Sequence, residues 1–60
     1  MKNNYRVDIF FRDRHYKTEF AEYWLAKVFA EAVKNEADVK SVFMLERISD
    51  GSFDITEHIK

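Results

Sequence analysis

Two histidines, three serines and a scatter of carboxylates carry the chemistry-bearing groups of this 60-residue chain. His58 follows Asp54 by four positions, and in a strand such residues share a face. That makes them the best candidate metal pair, but catalytic zinc wants three protein ligands. His15 lies beside Asp13 and Arg14 and reads as part of a turn. A nucleophilic serine needs a base and a group that orients the base. Ser49 and Ser52 flank Asp50-Gly51 and serve a turn, and no such partner is legible for Ser41. The acids Glu36 and Asp38 sit where a helix meets water. The single glycine excludes Gly-rich phosphate loops. A fold of this size also has little room for a pocket of several hundred Å³. The expectation is a protein that is no enzyme and takes no metal, cofactor or small-molecule substrate.

The binding residues say more. A domain near this length buries only about 60% of its unfolded-chain surface. There is no cysteine, so neither disulfides nor cysteine-ligated zinc can staple it. It carries six Phe, three Tyr and one Trp, more than one small core readily needs. The excess points to an interface and weighs toward a homo-oligomer or a protein partner. Net charge is -1. The first 17 residues hold five basic against two acidic groups, and the rest hold five against nine. This reads as an ordinary mixed surface with a mildly basic end. The longest stretch free of Asp, Glu, Lys and Arg is Ser41 to Leu45, too short for a membrane span or signal-peptide core. A cytoplasmic protein is expected.

The elements that position these residues follow from periodicity. Tyr5 to Arg12 alternates, with Tyr5, Val7, Ile9 and Phe11 on one side and Arg6, Asp8, Phe10 and Arg12 on the other, which is a strand signal. Arg12 to His15 turns the chain, and Tyr16, Thr18 and Phe20 alternate in a second strand. The rival for residues 15–20 is a helix beginning at Thr18, which lacks the capping-box acid because Ala21 stands at N3. Ala21 to Ala37 is helical, with Ala21, Leu25, Val28, Phe29, Ala32 and Val33 on one stripe and Ala26, Ala30 and Ala37 as a narrow small-residue ridge beside it. Val39 to Ile48 is a third strand. Asp50-Gly51 is the strongest hairpin signal, and Phe53 to Ile59 is a fourth strand with Phe53, Ile55 and Ile59 inward and Asp54, Thr56 and His58 outward.

This is a single α+β domain over residues 1–60, in the order β-β-α-β-β. It is expected as an antiparallel four-stranded sheet in the order 2-1-3-4 with the helix on one face. The other face is bare in a monomer and carries Phe10, Phe43 and Leu45 among Arg6, Arg12, Arg47, Lys17 and Thr56. It is the first choice of interface, and the helix flank with Tyr23, Trp24, Ala26 and Ala30 is the second. A single-stranded nucleic-acid binder is the alternative function, with Phe10 and Phe43 stacking bases beside Arg6, Arg12 and Arg47. The pI near 6.1 and the lack of a basic-Gly-aromatic run weigh against it. The run Asp38-Val39-Lys40-Ser41-Val42, with Asp50-Gly51-Ser52-Phe53-Asp54-Ile55-Thr56, resembles the second half of short uncharacterised ββαββ proteins of bacteria and their phages. The resemblance covers less than half the chain and departs in the first hairpin, where Asp13-Arg14 replaces Asp-Gly. It implies the fold and a phage or mobile-element setting, and carries no catalytic residue.

Overall fold

The computed structural model describes residues 2–60. Five elements follow one another: β1 (Tyr5–Phe11), β2 (His15–Phe20), α1 (Tyr23–Val33), β3 (Val39–Arg47) and β4 (Phe53–His58). The strands form one antiparallel sheet in the order β2-β1-β3-β4. This is the expected topology. Residues 15–20 form a strand and do not begin the helix. β1 is central because its period-two pattern supplies Val7 and Ile9 to a buried layer, and β3 meets it with Val42 and Met44. Val7, Val42 and Met44 are fully buried. Among the described residues no helix is long and apolar enough to cross a membrane.

The helix differs from the sequence expectation in length and in facing. It spans Tyr23–Val33 rather than residues 21–37. The side turned to the sheet is the small-residue ridge: Ala26 and Ala30 are completely buried, with Phe29 and Val33 packed beside them. Residues four apart stack on one helix face. Two alanines there let the backbone of α1 lie close on the Val7, Ile9, Val42 and Met44 layer. The larger Leu25 and Val28 have no room beneath and turn outward. Ala26 and Ala30 are therefore unavailable to a partner.

A second difference lies in β4. Phe43 pairs with His58 and Met44 with Glu57, but Leu45 pairs with Ile55. Thr56 is the extra residue of a bulge, and its hydroxyl donates to the Met44 carbonyl. Because side chains alternate, one inserted residue reverses every face beyond it. Phe53 and Ile55 thus lie on the face away from the helix, contrary to the inward placement expected. Glu57 lies under the helix. Ile59 packs on the core as expected. The same bulge puts Asp54, opposite Glu46, and His58, opposite Phe43, on different faces, so the metal pair suggested by their spacing does not form.

The turns are held locally. Arg12 and Asp13 form the tip of the first hairpin, closed by the Phe11 N–H donating to the Arg14 carbonyl at 2.8 Å. Gly51 has φ of 91°, the left-handed conformation that favours glycine. The Asp50 carboxylate accepts from the Ser52 hydroxyl and backbone N–H. These bonds hold its pKa below the ordinary value. Asn3 and Asn4, ahead of β1, are tied to β3 by hydrogen bonds. The Asn3 carbonyl accepts from the Arg47 guanidinium and the Asn4 carbonyl from the Arg47 backbone. Met1 lies outside the described residues.

Candidate interaction surfaces

The sheet face away from the helix is an aromatic array. Phe10 on β1 and Phe43 on β3 meet edge to face, with ring centroids 5.8 Å apart. His15 stacks on Phe10 at 4.0 Å, and His58 stacks on Phe43 at 4.6 Å. The register creates this line, since Phe10 faces His15 and Phe43 faces His58 across neighbouring strands. Phe53 lies beside two guanidinium groups, Arg6 at 4.9 Å and Arg47 at 4.5 Å. These are cation–π distances.

The charges on this face are largely paired within the chain. Asp8 is buried and receives two bonds from Arg6, at 2.7 and 3.0 Å, with the His15 Nε2 at 3.7 Å. A buried carboxylate demands such partners. Arg47 donates to the Asn3 and Gly51 carbonyls and stands 3.8 Å from Glu19. Arg12 is exposed at the hairpin tip. The sequence places Phe10, Phe43 and Leu45 together, and they do share this face. Phe10 and Phe43 are half-buried, and Leu45 is only 5% exposed. Sequence reasoning missed Asp8 as the centre of the network, although an acid inside an apolar strand between Val7 and Ile9 was the available signal.

The outer face of α1 has the opposite character. Trp24 is 59% exposed, Leu25 39% and Val28 61%, and Ala32 is exposed as well. At 3.6 residues per turn these four positions span an arc of about 100°. They form one apolar stripe pointing away from the sheet. The polar residues Lys27, Glu31 and Lys34 fall on the flank toward β4. There Lys27 pairs with Glu57 at 2.6 Å and Glu31 at 3.5 Å, and Lys34 pairs with Glu31 at 2.6 Å. Tyr23 donates its hydroxyl to Glu57 and sets its ring against Tyr5 at 5.8 Å. It is thus a clamp between helix and sheet as well as a surface residue. The bonds from Lys27 and then Tyr23 hold the Glu57 pKa below the ordinary carboxylate range. The same bonds raise Tyr23 and Lys27. Lys34, followed by Lys27, holds Glu31 down. The Trp24 indole N–H donates to Glu22, which fixes the ring on the outer face.

Comparison of the chain with family models, with curated proteins and with solved structures finds no match.

Proposed function

We propose that this protein is a small protein-interaction module without catalytic activity, which works as a homodimer and binds a partner protein through the outer face of α1. The observation that carries the reading is the exposed stripe of Trp24, Leu25 and Val28. Solvated helix faces are normally polar, whereas this one presents three large apolar side chains. Leaving such groups in water forgoes roughly 1.5–3 kcal/mol each compared with full burial. Trp is also enriched among residues that dominate binding energy. This reading moves the main contact from Phe10, Phe43 and Leu45 to the helix, because the open sheet face already satisfies much of itself through stacking. A cytoplasmic setting, which rests on the lack of cysteine and of a long apolar run, belongs to the proposal, as does a phage or mobile-element setting, which rests on the resemblance in the second half of the chain.

Single-stranded nucleic-acid binding has less support. Arg6 is committed to Asp8 and Phe53, and Arg47 to backbone carbonyls and Phe53. Phe10 and Phe43 already carry histidine rings. The test compares proteins that co-purify from the native host with the wild type, Trp24→Glu and Phe43→Glu, each checked for folding by circular dichroism. The reading expects specific partners to be lost with Trp24→Glu and kept with Phe43→Glu. The reverse pattern, or salt-sensitive binding of single-stranded oligonucleotides, would count against it.

A further inference from the structure

We infer that the free edge of β2 is the self-association site, where two copies join their sheets antiparallel in one register. This goes beyond the helix-face reading and uses a different surface. The Phe11 N–H bonds the Arg14 carbonyl, and bonded pairs alternate along an antiparallel ladder. Ile9–Tyr16, Val7–Thr18 and Tyr5–Phe20 are therefore the bonded pairs of β1 and β2, given their register. The backbone groups of His15, Lys17 and Glu19 consequently point away from β1 at the sheet edge. An edge of this kind is a template for another strand.

The two edges of the sheet are not equivalent. β4, at the far edge, is broken by the Thr56 bulge, a device that disrupts edge pairing. β2 pairs with β1 without interruption over six residues. It is also largely exposed, and Tyr16 is 55% exposed.

The sequence of β2 is complementary to itself. Take a two-fold axis at Thr18. Lys17 of each copy then faces Glu19 of the other, and the outward backbone groups of the same two residues meet to form the bonded pairs. Tyr16 faces Phe20 on the helix side, in the non-bonded pairs where side chains approach most closely. Thr18 faces Thr18. Moving the axis by one residue to Lys17 would set lysine against lysine, and moving it to Glu19 would set glutamate against glutamate. Charge therefore selects the first register, and the same register covers Tyr16. The dimer is an eight-stranded sheet carrying both helices on one face. Across the joined edge each α1 is separated from its copy by the strands between them, at about 4.8 Å per strand. Both Trp24 stripes stay free.

Two measurements test this. The first is amide hydrogen exchange of the wild-type protein at low and at high micromolar concentration, read at single residues. The Lys17 and Glu19 amides should become protected as concentration rises, while the amides of β4 that point away from β3 at the far edge should not change. The second uses charge. Lys17→Glu and Glu19→Lys should each weaken self-association about tenfold or more at low salt. Their mixture should recover it as a heterodimer, because every cross-strand pair is again of opposite sign. Dimerisation without protection of Lys17 and Glu19, a monomer at high concentration, or no recovery on mixing two folded variants would overturn the inference. Trp24→Glu should leave this dimer intact, so failure here and failure of the helix-face reading are separable.

Discussion

Ala30→Leu and Val28→Ala form a pair that tests which side of α1 faces the core. Ala30 is completely buried on the sheet, and leucine there inserts three carbons into a packed layer with Val7, Ile9, Val42 and Met44. Overpacking of that kind costs typically about 1–3 kcal/mol. A domain of this size has only about 3–5 kcal/mol to lose. One kcal/mol shifts the melting temperature by roughly 4–8 °C at this chain length, so Ala30→Leu should lower it by about 4–24 °C. Val28 is 61% exposed, and a surface truncation stays within about 0.5 kcal/mol, or roughly 4 °C or less. Thermal melting followed by circular dichroism, at a concentration where the protein is monomeric, reads both. If Val28→Ala melts as early as Ala30→Leu, or Ala30→Leu is neutral, the helix is oriented as the sequence stripe suggested and the exposed face described here does not exist.

Three further outcomes follow from other contacts. Gly51→Ala should cost about 1 kcal/mol or more, because its φ of 91° is strained for any other residue although space is open around it; urea denaturation measures it, and an unchanged midpoint would show that the turn relaxes. Glu57→Gln should be less stable than wild type above the ordinary carboxylate range. The Glu57 pKa is depressed in the folded state, so its contribution is present above the unfolded value and disappears as pH falls through the folded one; a gap that stays constant down to strongly acid pH would refute the ion pair with Lys27. Phe53→Leu keeps apolar bulk but removes the ring beside Arg6 and Arg47, and two cation–π contacts between half-buried residues are together worth about 1–2 kcal/mol or more; a double-mutant cycle with Arg6→Met that shows no coupling would refute the contact.

The strand order, both hairpins and the division of β1 into two faces were legible because period-two alternation and Asp-Gly are local signals. The helix facing was legible only in part, since Phe29 and Val33 of the expected stripe pack on the core while Leu25 and Val28 face outward. Hydrophobicity ranks Leu25 and Val28 above Ala26 and Ala30, yet close packing on a sheet selects small residues, and that preference depends on the layer beneath. The parity of β4 failed for a related reason. Nothing in Phe53 to His58 marks Thr56 as an inserted residue, because the bulge arises from pairing with β3. One slip moved Phe53 and Ile55 to the open face and separated Asp54 from His58. Phe10 and Phe43 were placed correctly, but their cover was not, since His15 and His58 reach them only through the register. Trp24 was noticed as an interface residue from its type and its place on a helix flank with Tyr23, Ala26 and Ala30, and its stripe with Leu25 and Val28 became visible once Ala26 and Ala30 were seen to fill the inner face.

Whether α1 meets another protein is tested most directly by site-specific photo-crosslinking in the native host. A photoreactive side chain replaces Val28 in one strain and Lys40, an exposed residue on β3, in another. The account predicts a discrete covalent adduct with a different protein from position 28, abolished by Trp24→Glu in the same chain and absent from position 40. Equal adducts from both positions, adducts with nucleic acid, or an adduct from position 28 that survives Trp24→Glu would contradict it.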